Sequence, residues 1–248
     1  MTLRVIVGLL ICFSTAVWSA PEQFAFRGQQ PTIDQLQQAQ EKAKTKGKKL
    51  MLVLGANWCG DSKALVEQFS QPAMAEQLNK KYQIELADIG YFEGGYSLVE
   101  HWGEPIYYGT PTVIIVDPDS GAVLNKADWQ HWTNASQHSL AEFREYFLAS
   151  DFSLSDAVIS AAHKQQLAEF EKRQSRRIKQ GYQAAAPLLK DYKESGLAAP
   201  PEAFMKLWLE LAEFRNQVHS DVVRLTAEAG KHPKKALTLP AYGMKSWE

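Results

Sequence analysis

Cysteine is nearly absent from this chain of 248 residues, which has only Cys12 and Cys59. Cys12 lies in an N-terminal apolar run that we expect to be removed, so Cys59 is left alone. Exported proteins that use cysteine structurally carry it in pairs. The sequence therefore excludes a disulfide-stabilised framework and leaves one thiol to be explained. A buried, unreactive cysteine is the plain alternative.

The chain also lacks a large excess of positive or negative residues. The chain has 27 Lys and Arg against 28 Asp and Glu, a formal net charge of -1. With no basic field and no nucleic-acid motif, nucleic acid is not expected as a partner. The 6 histidines are scattered and have no ligand spacing with Cys59. Because glycine-rich phosphate loops are absent too, we expect neither a metal ion nor another cofactor.

One long apolar run is present, and it lies at the N-terminus. Arg4 precedes VIVGLLICFSTAVW, which is the layout of a secretory signal peptide. We predict a signal peptide over residues 1–20, with cleavage near Ser19–Ala20. The run is short for a permanent span, although an uncleaved anchor is the alternative. The mature chain is expected to be periplasmic or secreted, with no stable membrane association.

Helix and strand patterns alternate over residues 21–150. The predicted elements are a helix in 32–47, a strand KLMLVLG, two helices before and after Ser70–Pro72, a strand QIELADI, a short helix near Leu98–Trp102, a hairpin around DPDSG and a helix over Ser139–Leu148. This order predicts an α/β domain whose central mixed sheet has helices on both faces. Right-handed crossovers make its first two strands parallel.

Strand patterns stop after residue 150, and residues 151–248 are predicted to form a helical extension. Its helices are expected near Leu154–Tyr182 and Pro201–Ala229. The second has an apolar seam that Arg215 interrupts. We expect a helical hairpin docked on the first domain, and an interface for a second protein is the alternative.

The remaining thiol lies where a predicted strand passes into a predicted helix, in GANWCGDSK. Unpaired N–H groups and the helix dipole favour negative charge there, and the thiolate is the reactive form of cysteine. Ser62 lies one helical turn further on and is expected to donate its hydroxyl hydrogen to the sulfur. Asp61 opposes a second negative charge. We predict that Cys59 is reactive.

These residues resemble a known active site. Trp58-Cys59-Gly60-Asp61-Ser62-Lys63 is similar to the thioredoxin motif Trp-Cys-Gly-x-Cys-Lys, and Gly109-Thr110-Pro111-Thr112 lies where that family has its cis-proline. The run from about Thr32 to Leu148 resembles exported bacterial thioredoxin-like proteins. The resemblance implies a thioredoxin-like fold, in which the helical tail has no counterpart.

The resemblance also implies roles for individual residues. Cys59 would be the attacking thiol, with Ser62 at the position of the second cysteine. Trp58, Gly60 and Asp61 would form the surface around the thiol. Thr110 would offer backbone hydrogen bonds to a bound peptide, and Pro111 would be the cis-proline that faces the sulfur.

Two departures from the family pattern alter the expected chemistry. Ser62 cannot resolve a mixed disulfide, and Val53 replaces a buried aspartate that serves the second thiol. A single thiol can still attack a disulfide and hold the product until an outside thiol releases it. It can also be oxidised to a sulfenic acid in a sensing role.

We therefore predict thiol–disulfide exchange through Cys59, either isomerase-like or glutathione-dependent. Its partner would be a cysteine-containing protein or a low-molecular-weight thiol. Whether the chain is a thiol–disulfide oxidoreductase or isomerase in the enzymatic sense is left open. The alternatives are a non-catalytic binding or scaffold module for a protein partner, and a subunit that is linked to one partner through Cys59.

Overall fold

The structure is a computed structural model that describes residues 24–155 and 157–248. The predicted signal peptide, residues 1–20, lies outside the described residues. The regular elements, in chain order, are α1 (Ile33–Thr45), β1 (Lys49–Gly55), α2 (Gly60–Phe69), α3 (Pro72–Lys81), β2 (Tyr82–Asp88), α4 (Tyr96–Glu100), β3 (Thr112–Val116), α5 (Leu140–Arg144), α6 (Ala161–Glu194) and α7 (Glu202–Lys231). Two 3-10 segments, Lys126–Asp128 and His131–Gln137, precede α5, and the π-helical turn Glu145–Ala149 follows it.

The three described strands form a mixed sheet in the order β2-β1-β3. β1 pairs in parallel with β2 and antiparallel with β3, as predicted for the first two strands. Residues 50–55 of β1 are all buried, because this central strand is covered on both faces.

Alternate residues of β1 enter two separate cores. Leu50, Leu52 and Leu54 face a core that contains residues of α1, α6 and α7. Met51 and Val53 face the other core, which is built from α2, α3 and α5. A strand presents successive side chains to opposite faces, so one apolar run serves both layers. The predicted arrangement of helices on both faces is confirmed.

The predicted hairpin after β3 is wrong in its second strand. The turn itself forms, since Gly121 N–H donates to the carbonyl of Asp117 at 2.9 Å. Beyond it the chain forms one isolated bridge, between Val116 and Val123, with backbone hydrogen bonds from Asp117 N–H to Ala122 and from Leu124 N–H to Ile115, but no continuous strand. The side chain of Asn125 then donates to the carbonyl of Val113 and accepts from Ile115 N–H, both at 2.8 Å. A side-chain amide thus pairs with the β3 backbone where a second strand was expected.

The C-terminal helices differ from the prediction in the bounds of the first. α6 begins at Ala161, where the Ser160 hydroxyl accepts from His163 N–H at 3.2 Å, and not near Leu154. It extends to Glu194 and contains Pro187. The added turns bury alanine and leucine side chains against the shared core, which explains why the helix continues. α7 agrees with its predicted bounds to within a few residues.

The two C-terminal helices dock on the sheet domain. The Tyr182 hydroxyl donates to the carbonyl of Tyr107 at 3.2 Å, and its ring stacks on Phe92 at 4.3 Å between centroids. The Tyr108 hydroxyl donates to Glu171 of α6 at 2.6 Å. The apolar core runs without a break from β1 into α6 and α7, so the division near residue 150 stays a prediction. Among the described helices, none has the length and apolar character needed to span a bilayer.

Candidate functional site

Cys59 is the N-cap residue of α2, just beyond the buried strand β1. Its Sγ accepts a hydrogen bond from Ser62 N–H at 3.5 Å, so the sulfur takes up one of the unpaired amides of the first turn. The thiol also contacts the carbonyl of Thr110 at 3.4 Å. Cys59 is 8% exposed and is free, without a disulfide partner among the described residues. The thiol therefore lies between an amide donor and a carbonyl acceptor.

The loop that faces the thiol contains a cis peptide bond between Thr110 and Pro111. This confirms the predicted cis-proline, and the Thr110 carbonyl places it directly against Sγ of Cys59. Thr112 supports the loop by donating its hydroxyl hydrogen to the carbonyl of Gly109 at 2.9 Å. Residues that are distant in the sequence are therefore brought together at the N-terminus of α2.

Ser62 is fully buried beside the thiol, but its hydroxyl has partners other than the sulfur. Its Oγ accepts from Ala56 N–H at 3.3 Å and lies 3.2 Å from Oγ1 of Thr110. The predicted hydrogen bond from this hydroxyl to Cys59 is corrected accordingly, since the backbone N–H of Ser62 approaches the sulfur instead. The Ser62 hydroxyl therefore accepts a hydrogen bond from the buried N–H of Ala56, at the turn from β1 to α2. Without this hydroxyl the N–H would be unpaired.

Comparison with known proteins agrees with this geometry. Residues 31–118 match a family model described as thioredoxin-like. The fold is thioredoxin-like. It consists of the mixed three-stranded sheet with helices on both faces, followed by α6 and α7. The predicted fold class is thus confirmed.

The chain is also similar to a protein of known structure. The crystal structure of a disulphide isomerase from Xylella fastidiosa Temecula1 aligns with 27% sequence identity and a TM-score of 0.45. The alignment covers 49% of this chain and 92% of that one. No curated protein matches the chain.

Trp58 forms an aromatic surface beside the thioredoxin-like site. Its Nε1 donates to the carbonyl of Gly90 at 2.7 Å, and its ring stacks on Tyr91 with centroids 6.0 Å apart. Phe92, which is buried, lies 5.5 Å from Trp58 and contacts the ring of Trp208 in α7 at 5.7 Å. The aromatic packing that begins at Trp58 therefore continues through the core into the C-terminal helices.

Gly60 and Asp61 are the first two residues of α2. A β-carbon added at Gly60 would meet no heavy atom within 4 Å, so the surface beside it is open. The Asp61 carboxylate accepts from Ser136 N–H at 3.0 Å and from the Ser136 hydroxyl at 2.7 Å. Those bonds direct the carboxylate toward the 3-10 segment His131–Gln137. The predicted contribution of both residues to substrate binding stays a prediction.

The sequence did not predict three residues that complete this region: Tyr182, Trp208 and Arg215. They come from α6 and α7, and the Arg215 Cζ lies 5.3 Å from the Trp208 ring centroid. The sequence feature that could have indicated them is Arg215, because it interrupts an otherwise apolar seam of α7. A charge on a buried helix face marks a position with a special requirement.

Proposed function

We propose that this chain is an exported thioredoxin-fold protein that carries out thiol–disulfide exchange through Cys59 alone. The observation that supports it most strongly is the contact between the Cys59 sulfur, at the N-terminus of α2, and the cis-proline loop. Export rests on the apolar N-terminal run, which is followed by a chain with one cysteine. The protein would act in the periplasm or outside the cell.

The proposed reaction begins with attack by the Cys59 thiolate on one sulfur of a substrate disulfide. A new S–S bond forms between Cys59 and the substrate, the original S–S bond breaks, and the leaving thiolate takes up a proton from water. The hydroxyl of Ser62 cannot attack this mixed disulfide. Release therefore requires a second thiol, either a glutathione-type molecule or another cysteine of the client, whose attack regenerates the Cys59 thiolate.

The neighbouring residues would hold the substrate during this exchange. Trp58 supplies an apolar surface next to the thiol, and Gly60 leaves open space at the start of α2. The Thr110 carbonyl accepts the thiol hydrogen in the resting protein. When the thiol ionises this carbonyl loses its donor, and it can then accept a hydrogen bond from the backbone of a bound peptide.

The first test measures whether the folded protein reacts at Cys59. The protein is incubated with glutathione disulfide, and the mixed disulfide is followed by intact mass spectrometry. We expect the adduct to form faster in the folded chain than in the urea-unfolded chain, because a site that binds the disulfide holds it next to the sulfur. Cys59→Ser provides the control without a thiol. Equal or slower reaction of the folded chain would contradict the proposal.

A non-catalytic binding module is the second candidate, and the low exposure of Cys59 favours it. At 8% exposure, and with the Thr110 carbonyl against it, the sulfur offers little surface to a disulfide. Cys59→Ser separates the candidates in the native compartment. Partner capture and phenotype persist in this variant if the groove only binds, and they are lost if Cys59 performs the exchange. Trapped Cys59 adducts, identified by mass, would also reveal the client.

A further inference from the structure

Arg215 is a buried cation without a counterion. The residue is 9% exposed, and its Nε and Nη1 atoms have neither solvent contact nor a hydrogen-bond acceptor. Among the described residues no carboxylate forms an ion pair with it. The partly buried Lys126 is different, since Glu104 and Glu171 both pair with its ammonium group. Arg215 is therefore the exception among buried charges in this part of the chain.

An unpaired buried charge is costly, and arginine cannot remove it by losing a proton. The rings of Trp208 and Tyr182 lie 5.3 and 5.9 Å from Cζ and provide partial compensation through cation–π contacts. The Tyr182 hydroxyl is a further neutral neighbour of the guanidinium, but neither it nor the rings neutralise the charge as a carboxylate does. Because Nε and Nη1 have no solvent contact, a ligand would reach the guanidinium at Nη2, where a carboxylate oxygen would accept one charge-assisted hydrogen bond.

The guanidinium lies next to the loop that faces the thiol. Its Cζ is 3.7 Å from the position that a β-carbon would occupy at Gly109. The next residue, Thr110, carries the carbonyl that contacts Sγ of Cys59 at 3.4 Å. A molecule bound along this loop would have its disulfide at Cys59 and a neighbouring group near Arg215.

We propose that Arg215 binds a carboxylate of the molecule whose disulfide Cys59 attacks. This inference rests on the proposed function and specifies its substrate class as anionic disulfides. The carboxylate belongs either to a small peptide-like thiol of the glutathione type or to an acidic side chain or C-terminus of a client protein. Both sources present the same group to the guanidinium.

The test compares the rates at which Cys59 forms mixed disulfides with anionic and neutral reagents. Glutathione disulfide is the anionic reagent and hydroxyethyl disulfide the neutral one. We expect Arg215→Met to lower the anionic-to-neutral rate ratio by about 10-fold, as for the loss of a charged hydrogen bond. Arg173→Met removes an exposed arginine of α6 and is expected to leave the ratio unchanged. Arg215→Lys keeps the charge but does not place a nitrogen at the position of Nη2, so an intermediate ratio is expected.

The source of the carboxylate is resolved by disulfide-linked peptides. One pair differs only in Glu against Gln beside the cysteine, and a second pair has a free or an amidated C-terminus. A wild-type preference for the charged member of either pair, lost in Arg215→Met, identifies that carboxylate as the one bound. Preference for glutathione disulfide alone identifies the small thiol.

The outcomes keep this inference separate from the proposed function. If Cys59 reacts with neither reagent, the proposed function fails. If it reacts with both and the ratio is the same in wild type and Arg215→Met, only the Arg215 inference fails. Should Arg215→Met not fold, the wild-type rates are compared with those for cystamine, a cationic disulfide. A wild-type protein that prefers cystamine to glutathione disulfide would overturn the inference.

Discussion

Ser62 determines which chemistry is available at Cys59. The serine contributes its amide to the sulfur, but its hydroxyl is bound to Ala56 N–H and Thr110 Oγ1. It therefore helps to hold the cis-proline loop against the start of α2, a positioning role that needs no second thiol. In the dithiol motif that the site resembles, the residue at this position would resolve the mixed disulfide. In this chain the mixed disulfide at Cys59 would be released only by a thiol from another molecule or from the client.

Replacing Ser62 with cysteine should restore the missing step. In Ser62→Cys the new thiol would lie one helical turn from Cys59. The backbone N–H of residue 62 already lies 3.5 Å from the Cys59 sulfur. We expect an internal disulfide in the oxidised variant and a mixed disulfide with glutathione that no longer accumulates. Intact mass spectrometry of acid-quenched samples measures both species.

Ser62→Ala is the matched control for this substitution. It removes the same hydroxyl but adds no thiol, so its mixed disulfide should accumulate as in the wild type. Both variants leave Ala56 N–H without its acceptor, a loss of about 1–3 kcal/mol in the free energy of unfolding for a buried group. Accumulation of the adduct in Ser62→Cys would show that position 62 cannot reach the mixed disulfide.

At the scale of elements, α5 begins with a complete capping box. Ser139 caps the helix, and Glu142 accepts from both the backbone N–H and the hydroxyl of Ser139 at 2.7 Å. The Ser139 N–H, then its hydroxyl, then His138 lower the pKa of Glu142 from 4.5 to about 2. A lowered carboxyl pKa stabilises the fold above the ordinary value of 4.5, and this contribution is lost as the pH falls through about 2.

Glu142→Gln should therefore change stability in a pH-dependent way. Glutamine keeps an oxygen for the cap but cannot ionise, so the variant should be less stable than the wild type at neutral pH. The difference should shrink between pH 4.5 and about 2 and vanish below that. Urea unfolding at low salt over this range measures it, with Glu169→Gln on α6 as the exposed control. A difference that does not depend on pH would contradict the assigned pKa.

The individual helices and strands show which parts of the fold the local sequence can predict. β1 was predicted over its full length because KLMLVLG is a continuous apolar run, and a helix was predicted over Ser139–Leu148, where α5 and the π-helical turn after it lie. The second hairpin strand failed because the Asn125 side chain pairs with β3, which no pattern of hydrophobicity reveals. Cys59 and Pro111 were placed by motif, whereas the position of Arg215 beside Gly109 depends on how α7 docks.

At the scale of the whole molecule, an ion cluster joins the thioredoxin-like domain to the helical tail. Lys126 pairs with Glu104 from the same domain and with Glu171 from α6, and Tyr108 donates to Glu171 as well. Burial acts to lower the pKa of Lys126, but Glu171 and Glu104 together raise it. The ammonium therefore stays charged and links the two parts, and these parts also share one apolar core.

Such coupling predicts that the chain unfolds in one transition. Lys126→Met should leave two buried carboxylates without their cation and lower the free energy of unfolding by about 3–5 kcal/mol. Because domain and tail share a core, the variant should still show coincident urea transitions by circular dichroism and tryptophan fluorescence. Lys44→Met, which breaks an exposed pair with Asp119, is the control and should leave the midpoint unchanged. Two separate transitions in the wild type would mean that the tail folds independently, and the docking of α7 beside Gly109 would then lose its structural basis.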